Sequence, residues 1–229
     1  MSRDARDALA EALGALGATL RFHRHLGVEA LPLDGEYLMG PAEALAEQER
    51  LLQGCRQCKL CAARQTVVFG SGHPRAQLVV IGEGPGADED AQGLPFVGRA
   101  GQLLTRMLAS VDLAREEVYI TNTVKCRPPG NRNPEPDELA ACAPVLDRQL
   151  ATLQPRVVLS LGSVATQALL RTREPIGKLR GRVHPYGDAV LVPTFHPAFL
   201  LRNPGPEYKR MAWDDLKLVK REYDQRRTK

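Results

Sequence analysis

Residues 77–102 read QLVVIGEGPGADEDAQGLPFVGRAGQ, and this stretch decides the fold. It begins with a short, continuous apolar run that is typical of a fully buried strand. A turn rich in glycine and proline follows at once, and from residue 100 the apolar spacing becomes helical. A buried strand, a sharp turn and a helix in this order predict one half of a parallel β–α–β unit.

The same alternation continues along the chain. Three further strand-like runs are EVYIT at 117–121, RVVLSL at 156–161 and AVLVPTF at 189–195. Segments with helical apolar spacing lie between the runs, at 100–111, 135–153 and 163–172. The sequence therefore predicts an α/β fold, a three-layer αβα sandwich around a central, mainly parallel, four-stranded sheet.

The beginning of the chain follows a different pattern. Residues 1–53 contain helical segments and a loop but no strand-like run, which indicates a helical N-terminal extension before one α/β domain at 54–229. The start lacks the regions of a secretory signal, and no apolar run approaches the about 18 residues of a membrane span. We expect a monomeric, cytoplasmic protein with no membrane partner. The net charge of +4 permits a nucleic-acid partner without requiring one.

Polar side chains follow each predicted strand. In parallel sheets ligands bind beyond the carboxyl ends of the strands, so residues just after the four runs are expected to converge. These residues are Glu83, Asn122, Ser163 and His196. Taken alone, a loop carboxylate, a turn asparagine and a surface histidine each have an ordinary explanation. Their shared position at one edge of the sheet favours a binding or catalytic site.

The glycine-rich turn after the first strand does not match a phosphate-binding loop. No GK[ST] follows GEGPG, and the spacing departs from GxGxxG. Pro85 also removes one backbone N–H that such a loop would donate. These departures argue against a nucleotide cofactor.

The cysteines indicate a metal centre. There are five, an odd number in a chain without an export signal, so a disulfide framework is not expected. The motif GCRQCKLCAAR contains Cys55, Cys58 and Cys61, and Cys126 and Cys142 follow later. Thiolates at CxxC spacing suit either zinc or an iron–sulfur cluster, and motif chemistry alone leaves both open.

Three motifs together resemble one known family. The family is the family-4, iron–sulfur branch of the uracil-DNA glycosylase superfamily. The motifs similar to it are, in chain order, GEGPGADEDAQGLPFVGRAGQLL, YITNTVKCRPPGNRNPEPDELAAC and FHPAFLLRNP. The resemblance extends from about Cys55 to about Trp213. It implies a monofunctional glycosylase that flips uracil out of single- or double-stranded DNA, hydrolyses the N-glycosidic bond and leaves an abasic site in base excision repair. Gly84 departs from the family pattern, which usually has alanine there.

The resemblance assigns roles around a flipped base. Phe96 would stack on uracil, although core packing is the ordinary explanation for a phenylalanine. Asn122 suits the uracil edge, since its amide oxygen accepts the N3–H while its amide N–H donates to O4. His196 would donate to the developing oxyanion at O2. Glu83, or Glu89 as a second carboxylate, would act on the sugar or water, and Gly84 and Ser163 would line the pocket.

Contacts to the DNA itself are expected after His196 and after the second strand. Leu200 or Leu201 would wedge into the gap that the base leaves, and packing of both leucines in the core is an equal alternative. Arg202, Arg127 and Arg132 would lie near phosphates.

The resemblance also favours a structural [4Fe–4S] cluster over Zn²⁺. Its implied ligands are Cys55, Cys58, Cys126 and Cys142. Cys61 is then a bystander, although an arrangement with Cys61 in place of Cys58 has the same spacing and stays open.

Two other function classes compete with turnover. Related proteins trap uracil-DNA covalently through a histidine on a loop after the second strand, but here that region reads KCRPPGNRNPEP and has no histidine. A non-catalytic DNA-binding module needs no base pocket, so the combination of Phe96, Asn122 and His196 argues against it.

Overall fold

Six strands form one sheet in residues 40–227, the part of the chain that this computed structural model describes. They are β1 Ser71–Gly72, β2 Leu78–Gly82, β3 Tyr119–Asn122, β4 Val157–Leu161, β5 His184–Tyr186 and β6 Ala189–Thr194. Their order across the sheet is β1-β3-β2-β4-β6-β5, in which the four central strands are parallel to one another and the edge strands β1 and β5 pair antiparallel with β3 and β6. The predicted α/β fold is confirmed.

The sequence predicts four strands, and the two edge strands correct this number. β1 and β5 contain two and three residues, which is too short for an alternating pattern to show in the sequence. Pro185 also makes the sequence of β5 less typical of a strand, because proline within a sheet is confined to edge strands and bulges. The four predicted strands lie together in the middle of the sheet.

Helices connect the strands. They are α1 Pro41–Leu52, α2 Ala87–Gln92, α3 Arg99–Ala109, α4 Pro136–Leu153, α5 Gly162–Leu170, α6 Ile176–Leu179, α7 Pro197–Arg202 and α8 Pro206–Arg227. Proline stands at the start of α1, α4 and α7, where its missing N–H leaves no helical bond unmade. None of the helices in the described range is long and apolar enough to cross a membrane.

The two faces of the sheet bury two separate cores. Val80 of β2 packs on one face in a cluster with Leu108 of α3 and Val219 of α8. Its neighbour Ile81 belongs to the cluster on the other face, with Leu52 of α1 and Val145 of α4 among its members. This alternation follows from the period of two along a strand, and it gives the predicted helix–sheet–helix layers.

Helix α1 belongs to the same compact unit as the sheet. That unit spans Gly40–Lys229, and α1 is joined to α4 by a hydrogen bond of 2.8 Å from Gln48 Nε2 to Thr152 Oγ1. The domain boundary after residue 53 stays a prediction. The helix predicted at the start of the chain lies outside the described residues.

Candidate active site

The carboxyl ends of the parallel strands surround a cavity of about 530 Å³. Asn122 is the last residue of β3, Glu83 follows β2 directly, and His196 lies two residues after β6. Ser163, in the first turn of α5, reaches the same cavity. The sheet thus brings together the four residues that the sequence places at its edge, and Phe96 joins them from the turn before α3.

Gly82 makes room for two of these side chains. A Cβ at this position would lie 2.4 Å from Phe96 Cζ and 2.5 Å from Asn122 Oδ1. The edge of the Phe96 ring and the amide of Asn122 therefore meet above a residue that must be glycine. The His196 ring lies beside them, with 5.8 Å between its centroid and that of Phe96 and an angle of 34° between the ring planes.

The Asn122 side chain has a buried oxygen without a hydrogen-bond partner. The residue is 1% exposed, and its Oδ1 is one of two buried side-chain atoms in residues 40–227 that have no hydrogen-bond partner. A buried acceptor without a donor costs about 1–3 kcal/mol, so such atoms are rare unless a ligand satisfies them. The cavity beside Asn122 is where a donor from a ligand can reach it.

His196 is held as a neutral hydrogen-bond donor. Its Nδ1 accepts the backbone N–H of Ala198 at 3.1 Å, at the start of α7. The ring proton is therefore on Nε2. Burial, and secondarily the positive charge of Arg202, lower the pKa of His196 from 6.5 to about 4, so the ring is neutral at physiological pH.

Glu83 presents the carboxylate nearest to the end of β2. It is half-buried at the cavity wall, where burial raises its pKa and the charge of Arg202 opposes that shift. Its backbone carbonyl accepts hydrogen bonds from the hydroxyl of Thr123 at 2.5 Å and from the N–H of Val124 at 3.2 Å. The turn after β2 is thereby tied to the segment after β3.

Gly84 does not open an additional space in this wall. A Cβ at position 84 would lie 2.8 Å from Cγ2 of Val124, which is itself fully buried. The volume that an alanine methyl would take is already occupied by Val124 in this chain.

Phe96 has a strained backbone that Glu89 holds in place. Its φ is +53°, a left-handed conformation that costs an L-residue about 1–2 kcal/mol. The Glu89 carboxylate accepts the N–H groups of Val97 and Gly98, both at 2.9 Å, and the N–H of Gly86 at 3.1 Å. Glu89 thus fixes the turn that carries the ring, a role that the sequence does not reveal.

Removing this carboxylate is expected to release the turn. We predict that Glu89→Ala lowers the free energy of unfolding by about 2 kcal/mol, because three backbone N–H groups lose an ionised acceptor. Thermal denaturation measures the effect, with Asp88→Ala as the control for an exposed carboxylate one residue earlier. Equal melting temperatures for the two variants would contradict the role given to Glu89.

The residues after His196 divide into buried and exposed side chains. Leu200 is 3% exposed and packs in the core, whereas Leu201 is 37% exposed. Of the two leucines considered as wedges, Leu201 is the one with an exposed side chain. Arg202 lines the cavity.

The two arginines after β3 are in different situations. Arg127 is half-buried, and its Nε donates to Asn131 Oδ1 at 2.7 Å. Arg132 donates with both terminal nitrogens to the buried carboxylate of Glu138, at 2.8 and 2.7 Å. Arg132 is thus paired with Glu138 while its side chain stays 35% exposed at the cavity wall, whereas Arg127 is not among the residues that line the cavity.

A separate hollow gathers all five cysteines. It is lined by Cys55, Cys58, Cys61, Cys126 and Cys142. Arg64, which sequence reasoning misses, donates from Nη1 to the sulfur of Cys126 at 3.3 Å and from Nη2 to the carbonyl of Cys55 at 2.7 Å. Burial raises the pKa of Cys126 to about 11, so a metal that binds there must displace protons. Among residues 40–227 no three potential ligands lie close enough together for a single ion.

Comparison with known proteins gives consistent matches. Residues 69–217 match the family model described as the uracil DNA glycosylase superfamily. The chain is 45% identical over 175 residues to the type-4 uracil-DNA glycosylase of Saccharolobus solfataricus, with 72% of this chain and 80% of that protein covered. For the type-4 enzyme of Thermotoga maritima the identity is 44%, with 72% and 88% covered. A type-5 uracil-DNA glycosylase of Thermus thermophilus is 32% identical over 61% of this chain and 78% of that protein.

Proposed function

This chain belongs to the uracil-DNA glycosylase superfamily and to its type-4 branch, and on that premise we propose that the cavity at the strand ends holds a uracil flipped out of DNA. The reaction is hydrolysis of the N-glycosidic bond, which leaves an abasic site for base excision repair. The single observation that carries the proposal is the buried, unpartnered Oδ1 of Asn122 at the cavity wall.

Asn122 distinguishes uracil from cytosine. Its Oδ1 accepts the N3–H of uracil while its Nδ2 donates to O4. Cytosine has an acceptor at N3 and a donor at N4. The amide oxygen of Asn122 would then face an acceptor, and its amide N–H would face a donor. Each such mismatch costs about 1–3 kcal/mol in a buried site.

Phe96 supplies the surface on which the flipped base stacks. Its ring is next to both Asn122 and His196, which supports a base position in contact with all three. Stacking contributes about 1–3 kcal/mol per base, which offsets the few kcal/mol needed to unstack and unpair a nucleotide.

His196 stabilises the leaving group. When the bond between C1′ and N1 breaks, its electron pair passes to uracil and negative charge develops at O2. The neutral ring donates its Nε2–H to this oxygen, and because its Nδ1 is already fixed by Ala198 it needs no reorganisation.

Glu83 is the carboxylate that we assign to the sugar side. The departing uracil leaves a positively charged sugar, and water then adds at C1′ and loses a proton. Glu83 lies at the cavity wall. Its carboxylate does not accept the three backbone N–H groups that hydrogen-bond to the carboxylate of Glu89. We give Glu89 the role of positioning Phe96, and Gly84 and Ser163 the role of lining the pocket.

The DNA is held by residues around the cavity mouth. Leu201 is the proposed wedge into the gap left by the base. Arg202 and Arg127 are the proposed phosphate contacts, in agreement with a net charge of +4. We place the protein in the cytoplasm as a monomer on uracil-containing DNA.

We propose that the cysteine hollow holds a [4Fe–4S] cluster in preference to zinc. The hollow gathers thiols from three segments of the chain, and in the part of the chain that the structure describes no three potential ligands lie close enough together for a single ion, which a zinc site with bonds of about 2.3 Å would require. We propose Cys55, Cys58, Cys126 and Cys142 as ligands. When bound, the cluster supplies a structural cross-link between the segment before β1, the loop after β3 and helix α4.

Two cysteine variants test this ligand set. We expect Cys126→Ser to remove the absorbance near 400 nm and most of the bound iron, and to lower the melting temperature, because one of four ligands is lost. Cys61→Ser is the matched control and is expected to keep iron and absorbance. Loss of iron in Cys61→Ser with retention in Cys58→Ser would support the alternative set with Cys61 in place of Cys58.

The enzymatic function is tested with a uracil-containing oligonucleotide followed by alkali. Strand cleavage that appears only after alkali is the expected result, because a monofunctional enzyme leaves an intact abasic strand. A species that stays bound to DNA in denaturant would instead indicate covalent trapping, which the absence of histidine in residues 125–136 disfavours. Binding without base release would indicate a non-catalytic module.

A further inference from the structure

A buried lysine lies between the proposed uracil site and the cysteine hollow. Lys125 is 1% exposed, although lysine is almost never fully buried without partners. It is three residues after Asn122 and directly before Cys126, and it lines the cysteine hollow. Neither the proposed reaction nor the proposed cluster uses its amino group.

The amino group of Lys125 has three hydrogen-bond partners. Nζ donates to the hydroxyl of Thr121 at 2.6 Å, to the backbone carbonyl of Asn122 at 2.8 Å and to Oε1 of Gln149 at 2.5 Å. The side chain therefore folds back along its own segment and fastens the end of β3 to α4.

Gln149 and Thr121 extend these contacts to a third segment. Gln149 Nε2 donates to the carbonyl of Phe69 at 3.0 Å, and the Thr121 hydroxyl donates to the same oxygen at 2.8 Å. Gln149 is fully buried, as is Thr121. The network thus joins β3 and α4 to Phe69, which lies two residues before β1.

This arrangement addresses a requirement of base selection. If the Asn122 amide is rotated or displaced, it no longer distinguishes uracil from cytosine, because its oxygen must face the base N3 and its N–H must face the group at C4. Among the described residues the Oδ1 of Asn122 has no partner that fixes it. What holds the residue is its backbone: pairing with Gly82 in the sheet and the bond from Lys125 to its carbonyl.

We propose that Lys125 is a positioning residue for uracil recognition, which acts through Asn122 by fixing the end of β3 against Gln149. The inference rests on the proposed function of Asn122. Lys125 does not touch the base, and its effect is exerted only when the Asn122 amide is present.

A double-mutant cycle tests this coupling. In single-turnover assays on uracil-containing DNA, Lys125→Met is expected to slow base release about tenfold in the wild-type background, and to change it less than twofold in an Asn122→Ala background. A purely structural effect would slow both backgrounds by the same factor. Equal factors would therefore overturn the proposal.

Further variants keep the test valid if Lys125→Met does not fold. Gln149→Leu removes one of the three acceptors of Lys125, and Thr121→Val removes another, and each is expected to show the same dependence on Asn122. Gln48→Leu is the control, since Gln48 is a buried glutamine that bonds to Thr152 away from the site. Absorbance near 400 nm and melting temperature are measured for every variant, so that loss of a cluster is separated from loss of positioning.

The same experiment separates this inference from the proposed function. If Asn122→Ala releases uracil at the wild-type rate, the function proposed for Asn122 fails. If Asn122→Ala is slow and Lys125→Met is unaffected, or slows both backgrounds equally, only the positioning role fails.

Discussion

Replacement of Asn122 by alanine is expected to slow uracil release about 100-fold, because two buried hydrogen bonds to the base edge, together about 3 kcal/mol, are lost. The measurement is a single-turnover rate on an oligonucleotide with one uracil. The loss is expected in the chemical step as well as in binding, since the amide must hold the base while charge develops on it.

Asn133→Ala is the matched control for this prediction. Asn133 is an exposed asparagine at the edge of the same cavity, so the substitution removes the same chemical group from a side chain that is not buried at the end of β3. Its rate is expected to stay within twofold of wild type. A rate for Asn122→Ala that is also within twofold would refute the recognition role.

Replacement of His196 by alanine is expected to lower kcat by roughly 100- to 1,000-fold, the usual effect of removing one preorganised donor to a developing oxyanion. KM is expected to change little, because the hydrogen bond strengthens only as negative charge forms on O2. His73→Ala is the control: Nδ1 of this exposed histidine accepts the backbone N–H of Arg75 at 3.2 Å, in the same local geometry but away from the cavity.

The pH dependence follows from the same histidine. Its pKa of about 4 is below the ordinary value of 6.5, so the neutral donor is fully present above pH 6.5 and is lost only as pH falls through about 4. The stability of the folded state is unaffected by this group above pH 6.5 and declines as pH falls from 6.5 towards 4, because the unfolded chain binds the proton more readily than the buried ring. We expect kcat to be nearly constant from pH 8 to pH 6. Loss of activity with an apparent pKa near 6.5 in both wild type and Glu83→Gln would contradict this.

Much of the fold is accessible from the sequence because its strands are buried on both faces. Such strands appear as continuous apolar runs, and the polar residues that follow them are placed by the rule for parallel sheets. For this reason Asn122, His196 and Glu83 are predictable as neighbours although they are far apart in the chain. The two edge strands are not predictable, because they owe their pairing to adjacent strands and not to a pattern of their own.

The supporting residues of the site are harder to predict. Glu89 follows the turn as one of several carboxylates, and only the path of the backbone shows that it accepts three N–H groups. Lysine is most often found on protein surfaces, so the burial of Lys125 depends on acceptors that β3 and α4 provide. Leu200 and Leu201 are adjacent in a helix of six residues, which is too short for periodicity to distinguish the buried one.

A crystal structure with free uracil bound tests the central claim most directly. The account predicts the base stacked on the Phe96 ring, with N3–H directed to Oδ1 of Asn122 and O2 within hydrogen-bond distance of Nε2 of His196. Uracil bound outside this cavity, or bound inside it with the Asn122 amide turned away from its edge, would contradict the account.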